Sequence, residues 1–254
     1  MKRLIVVLFV SFLINQSTAQ NRWNFIGGAN FSSFNTDLMA LYGFEDYRDF
    51  YISNGGTASS EAINSLKAGG YLAIEHEFMV SKNGFVKTGI KYVSVGDAFF
   101  FKTTDIQYQN GYGATSDGKF KMRPRLDYIA IPLNYGIRAG ETISIYAGLT
   151  PHFNTKNIIR TNRFTGNAND LEEKWDAIDN PVTARKMVFF ADLGMSYYLG
   201  DGKSVIDLRV SRSISSVYDA PLYNPAFSEA GAWSIELGMG FTIYKKSKKF
   251  GVDE

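Results

Sequence analysis

His76 and His152 are the only imidazoles among the 254 residues, so a serine-type or imidazole-ligated metal mechanism has to use one of them. His152 follows Thr150 and precedes Asn154 near the outer end of an apolar run, where a small membrane-embedded lipase or acyltransferase would place a histidine. His76 stands between Glu75 and Glu77. Neither has a nucleophile at a diagnostic spacing such as Gly-x-Ser-x-Gly, and no metal-ligand motif is present. The run Asn167-Ala168-Asn169-Asp170-Leu171-Glu172-Glu173 carries oxygen ligands for a cation but lacks the glycine of a calcium loop, and reads more simply as solvated. There is no cysteine, which excludes a disulfide framework, thiolate metal sites and lipoprotein acylation. The expectation is a non-enzyme with no catalytic residue, no metal and no cofactor, and with no small-molecule substrate identified.

The charged residues are more informative. Glu75, Glu77, Lys87, Lys91, Arg138, Asp192, Asp207, Arg209 and Glu236 sit singly inside otherwise uncharged alternating stretches. Five acids and four bases placed on one side of such stretches can neutralise one another, and if buried they must pair or meet water.

The stretches that position them are strands. Trp233, Ile235, Leu237, Met239, Phe241 and Ile243 alternate with Ser234, Glu236, Gly238, Gly240 and Thr242. Successive side chains of a strand point to opposite faces, so this segment has one apolar and one polar face. The same split recurs at 71–78, 129–138, 143–150, 189–197 and 206–211, and weakly at 22–34 and 85–101. That makes eight strands.

Their connections alternate strictly in length. Ser81–Gly84, Gly140-Glu141 and Gly200–Lys203 are short, with Asn-Gly and Asp-Gly pairs suited to φ > 0 in tight hairpins. The segments at about 35–65, 102–122, 156–184 and 216–230 are long and polar. Three short turns and four long loops, with both ends on the turn side, describe an all-β, eight-stranded antiparallel up-and-down transmembrane β-barrel of outer-membrane type. Aromatics at strand ends (Trp23, Phe25, Phe78, Phe99 to Phe101, Tyr197, Trp233 and Phe241) fit two interfacial girdles. The polar face, rich in Gly, Ser and Thr, suits a crowded interior better than a solvated exterior, which disfavours a soluble barrel of lipocalin type. Eight strands leave room only for side chains or one small ligand, so the nine charges are expected to fill the lumen as a network.

The first residues read as an export signal. Lys2 and Arg3 precede the apolar Leu4–Ile14 run, and Ser17-Thr18-Ala19 supplies a cleavage site after Ala19. Residues 1–19 are thus expected as signal peptide, 20–245 as barrel and 246–254 as a short basic periplasmic tail. Of 27 basic and 25 acidic residues two bases lie in the signal, so the mature chain is formally neutral and a nucleic-acid role has no electrostatic footing.

Leu126-Asp127-Tyr128-Ile129-Ala130-Ile131-Pro132-Leu133 resembles a strand of the PorT-like outer-membrane barrels of Bacteroidota, and Tyr146–Pro151 resembles the strand that follows it there. The resemblance implies an outer-membrane barrel and no particular activity. Its namesake belongs to a type IX secretion apparatus, a role that fold similarity does not transfer. The family often ends its last strand on an aromatic residue as an insertion signal, whereas here Tyr244 is followed by a lysine-rich tail.

Tyr42, Phe44, Tyr47, Phe50 and Tyr51 in the first long loop, and Leu171 and Trp175 in the third, recur at nearly helical spacing. They fit either loops folded on one another or contact surfaces for a partner. The expected partners are therefore outer-membrane lipid and other outer-membrane proteins. The favoured role is a structural or interaction subunit with a plugged lumen, accessory to a larger outer-membrane or secretion assembly; a narrow channel or a lipid-modifying enzyme is the alternative.

Overall fold

The computed structural model describes residues 21–35, 49, 52–53, 56–58, 63–106, 118–167, 170–179, 182–200, 202–219 and 230–244. Among the described residues eleven strands are formed: β1 (Arg22–Phe34), β2 (Gly56–Ala58), β3 (Ile63–Met79), β4 (Gly84–Ile106), β5 (Gly118–Ala130), β6 (Leu133–Ala139), β7 (Ile143–Asn167), β8 (Asp170–Asp179), β9 (Met187–Leu199), β10 (Ser204–Ser213) and β11 (Ala232–Tyr244).

The ring has eight antiparallel members, because β5 and β6 share one position between β4 and β7 while β2 and β8 attach outside it. The split falls at Ile131-Pro132, within what the alternation alone reads as one strand. Proline has no N–H to give the ladder, and the pairing resumes on both sides, Lys91 with Ala130 and Thr88 with Leu133. The ring closes where β1 meets β11, from Arg22 opposite Tyr244 to Phe34 opposite Ala232.

Its stagger can be followed residue by residue. A path across the ladders from Arg22 runs through Glu77, Lys87, Asn134, Gly148, Asp192, Ser211 and Ser234, and returns to β1 at Ser32, ten residues further on. Eight strands with that stagger tilt roughly 40° from the axis.

The apolar face of the ring strands points outward. Leu72, Ile90, Leu193 and Met239 are each more than 60% exposed. From Trp23, Ile137, Tyr197 and Phe241 at the turn end to Phe31, Ile129, Phe153 and Phe189 at the other, exposed apolar side chains cover the wall. About ten residues of tilted strand make a band roughly 25 Å tall, the thickness outer-membrane barrels present to lipid. At its lower edge Trp23 stacks on His76 at 4.3 Å between ring centroids, and His76 meets the edge of Phe78 at 3.9 Å.

The short turns are built in two ways. Gly140, Gly200 and Gly202 take positive φ (71°, 59° and 80°), as tight turns between twisted strands demand. Gly84 does not, contrary to the Asn-Gly expectation, and instead begins β4. That turn is held by Val80 and Ser81 N–H donating to the Gly84 carbonyl (2.9 and 3.1 Å) and by the Gly84 N–H donating to Ser81 Oγ at 2.8 Å.

Where they are described, the long connections are less irregular than their polar composition suggests. β4 runs on to Ile106 and pairs with β5 as far as Thr103 opposite Gly118. β7 continues past the barrel into a hairpin with β8, Ile158 opposite Asp179 to Asn167 opposite Asp170. Elsewhere at this end, Ala184 bridges Tyr218, Arg185 N–H donates to the Val217 carbonyl at 2.9 Å and Val217 N–H to the Ala230 carbonyl at 2.8 Å. Val182, Ala184, Val217, Tyr218 and Ala230 are buried in one cluster with Val95, Phe99, Leu126, Tyr128, Val188 and Phe190 of the strands.

Candidate functional site

Because the apolar face is outward, the polar face lines the interior. All nine charges singled out from the alternation lie there, seven of them with no exposure at all and Asp192 and Arg138 at 4% and 8%. They fall into tiers set by their height on the strands.

The middle tier holds three acids and three bases. Glu75 on β3 receives Lys87 Nζ at 2.8 Å and Arg209 Nη2 at 2.6 Å. Asp207 on β10 receives Lys87 at 3.1 Å and lies 3.5 Å from Arg209. Glu236 on β11 binds Lys91 at 2.9 and 3.2 Å, with Arg209 Nε 4.0 Å away.

Tyr146 on β7 sits at the centre. Its hydroxyl donates to Asp207 (2.9 and 3.0 Å) and accepts from Arg209 Nε at 3.1 Å, while Lys87 Nζ stands 4.1 Å over its ring. Ser196 Oγ donates to Asp207 at 2.6 Å and accepts from Lys87 at 3.3 Å. Every cation is therefore matched by a carboxylate, the arrangement that makes buried charge tolerable.

The lower tier is centred on Glu77. It pairs with Arg138 at 2.7 Å, accepts from Asn24 at 3.3 Å and is hydrogen-bonded by the Tyr198 hydroxyl. Arg22 lies over the Tyr198 ring at 4.3 Å and donates to the Glu141 carbonyl at 3.2 Å. With Arg22, which is 3% exposed, the three tiers hold five bases and five acids.

In the upper tier Asp192 accepts from Thr150 Oγ1 at 2.5 Å. Above it the interior turns apolar, with His152 between Tyr128 (5.5 Å) and Phe190 (4.1 Å). His152 is 1% exposed, and its Nδ1 lies 3.0 Å from the Thr150 carbonyl oxygen. β7 continues fifteen residues beyond it to Asn167, so His152 is not at the end of its strand as the sequence suggested.

Glycine makes room for the large side chains. Phe85 and Gly136 are cross-strand partners, as are Tyr146 and Gly194. A Cβ on Gly136 would stand 2.4 Å from the Phe85 ring, and one on Gly194 2.3 Å from the Tyr146 ring. Each ring thus lies flat over the neighbouring strand, as aromatics paired with strand glycines do.

Tyr146, Tyr198, Ser196, Thr150, Asn24 and Arg22 complete the network and were not singled out beforehand. All share the polar parity of their strands, which was the available signal. Of the loop aromatics, Tyr42, Phe44, Tyr47, Phe50 and Tyr51 lie outside the described residues. Leu171 and Trp175 belong to strand β8, so their spacing of four is not helical; an even spacing suits a pleat equally well. The Asn167–Glu173 run spans the β7–β8 hairpin, with 168 and 169 outside the described residues, as is the lysine-rich tail.

No family model matches the chain, and no curated protein matches it at a significant level. Among solved structures it is similar to Ail, the attachment invasion locus protein of Yersinia pestis, at 10% identity and a TM-score of 0.39, covering 89% of this chain and all of that one. It is also similar to the outer membrane protein OprG of Pseudomonas aeruginosa, at 11% identity and a TM-score of 0.31, covering 90% and 98%. Neisserial surface protein A matches at 7% identity and a TM-score of 0.32, covering 86% and 96%. Likeness at this level carries no argument about activity.

Proposed function

We propose that the protein is an outer-membrane barrel with a closed lumen, serving as a structural or interaction subunit that acts through its wall and outer ends. One observation carries the closed lumen: the middle tier's three acids and three bases have no exposure and are joined to one another by ion pairs. The apolar layer of Tyr128, His152 and Phe190 above it, and the cluster of Val182, Val217 and Tyr218 beyond, add a second barrier. An ion entering this interior would have to break paired buried charges and then cross an apolar layer.

The outer-membrane assignment rests on the exposed apolar band and on ring closure, which leaves no strand edge facing lipid. The strands that continue beyond the wall at β4, β5, β7 and β8 fit an accessory role in a larger assembly. The surroundings of both histidines fit structural roles: His152 is walled in by two rings and a carbonyl, and His76 is stacked on Trp23 at the wall's lower edge.

Planar-bilayer recording of the purified, refolded barrel tests the reading. No steady conductance above the bare membrane is expected between pH 5 and 8, roughly the range in which carboxylates and lysines keep their charges. Stable open steps would overturn the closed lumen and favour a narrow channel.

A further inference from the structure

Toward its outer end β3 separates from β4. Their register runs to Tyr71 opposite Val93 and resumes at Leu66 opposite Asp97, so four residues of β3, 67–70, stand against three of β4. A bulge of this kind leaves backbone groups without ladder partners. Ser32 takes up those of Gly96, donating to its carbonyl at 3.1 Å and accepting from its N–H at 2.9 Å. On the β3 side, 67–70 have no register partner on β4.

Lys67 lies in this bulge, and Ser94 lies on the strand opposite. Lys67 Nζ stands 2.9 Å from Ser94 Oγ and 3.1 Å from the Ser94 carbonyl oxygen. Both residues are buried. Glycines make room for the contact: a Cβ on Gly96 would stand 2.6 Å from Lys67 Cδ, and one on Gly69 3.0 Å from Nζ. Among the described residues no carboxylate bonds to Lys67. Asp127 is engaged by Arg125 at 2.7 and 2.8 Å, and Asp97 accepts from Ser33 Oγ and from the N–H groups of Phe34 and Ala98. Burial lowers the Lys67 amine from the usual lysine range to about 8, with the charges of Arg125, Arg160 and Arg123 acting in the same sense and Asp127 against it.

Lys67 and Ser94 both line a pocket of about 670 Å³, together with Gly69 and Gly70 of the bulge and with Leu72 and Tyr92 below. Ser94 pairs with Asp127, two residues above the exposed Ile129, which places the two side chains at the outer edge of the apolar band. The lower lining is continuous with the lipid-facing wall, Leu72 being 65% exposed. A serine hydroxyl touching a desolvated amine is a combination that activates a serine nucleophile without histidine.

We propose that Ser94 and Lys67 are a catalytic pair that hydrolyses acyl esters at the outer face of the membrane, the acyl chain lying against Leu72 and Tyr92. The proposal rests on the wall being membrane-embedded and adds an activity to it. Neutral Lys67 takes the Ser94 proton as Oγ bonds to the ester carbonyl carbon, and gives that proton to the leaving alcohol as the carbon–oxygen bond breaks. Water then attacks the acyl-serine, passing one proton to Lys67; the carboxylic acid leaves, and Oγ recovers the proton from Nζ. Those N–H groups of 67–70 that face β4 are the donors for the negative charge that develops on the carbonyl oxygen.

The test uses the full folded barrel in mild detergent, with a long-chain fluorophosphonate as covalent probe and p-nitrophenyl laurate and acetate as substrates. The probe should label Ser94, located by peptide mass spectrometry, and the laurate ester should turn over faster than the acetate. Turnover should rise with pH through about 8, because Lys67 must be neutral to accept a proton. Ser94→Ala, which removes one buried oxygen and leaves the fold intact, should lose both label and turnover. Lys67→Met should lower kcat by at least about 100-fold, the usual worth of a general base. Lys67→Arg, which keeps the charge but cannot give up its proton, should be equally slow. Lys82→Gln, on the turn at the opposite end, should match the parent. No label on Ser94, turnover that survives Ser94→Ala, or full activity in Lys67→Arg overturns the proposal. A chain that folds and stays soluble without detergent would overturn the membrane reading itself, whatever the label shows.

Discussion

Lys87→Met should lower the unfolding free energy of the barrel by about 3–5 kcal/mol, the range seen when one member of a buried ion-paired group is removed. Lys87 lies between Glu75 (2.8 Å) and Asp207 (3.1 Å), and all three are fully buried. Without the ammonium, two carboxylates are left to Arg209 alone in a space that water does not reach. The loss comes from stranded negative charge rather than from a missing bond, so neutralising one acid should restore much of it. Lys87→Met with Asp207→Asn is therefore expected to lie well above the single variant. Urea unfolding from phospholipid vesicles, followed by circular dichroism, measures both. A single variant within about 0.5 kcal/mol of the parent would mean that pairing across the interior does not hold the barrel.

Gly194→Val should be nearly as damaging although it touches no charge. The ideal Cβ at this position lies 2.3 Å from Tyr146 Cζ and 2.4 Å from Oη. The ring must therefore leave its place on β9, which carries its hydroxyl away from Asp207 and Arg209 and its face away from Lys87. Overpacking alone is worth about 1–3 kcal/mol, and the disturbed hydrogen bonds add to it. Combined with Tyr146→Leu the two changes should be strongly non-additive, because the shorter side chain removes the clash. A double-mutant cycle additive to within about 0.5 kcal/mol would show that Tyr146 and Gly194 do not share the same space.

The polar and apolar faces were legible in the sequence because a strand's period of two leaves no third choice. Glu236 between Leu237 and Ile235, or Asp207 between Ile206 and Leu208, announces its side of the wall. Which charge meets which was not legible. Lys87 and Asp207 are 120 residues apart, and only ring closure and stagger bring them together. Arg22 stood at the start of a weakly alternating run and gave no sign of reaching Tyr198. Lys67 was hidden for another reason: it falls where the β3–β4 register shifts, between Leu66 and Tyr71, so parity does not announce that its ammonium bonds to Ser94. The outer extensions of β4, β5 and β7 escaped because strands standing beyond the lipid need no apolar face, and without one the alternation fades.

The seam where β1 pairs with β11 joins the two ends of the described chain, and Thr242 donates to Asn24 across 218 residues. No earlier pairing can stand in for it. Until β11 has emerged, the growing sheet carries two open edges with an outward surface that water rejects, which is the template for aggregation. The ionic interior can assemble only together with closure, since Glu236 and Thr242 arrive on that last strand. Closure of this barrel is consequently an all-or-none event timed by β11.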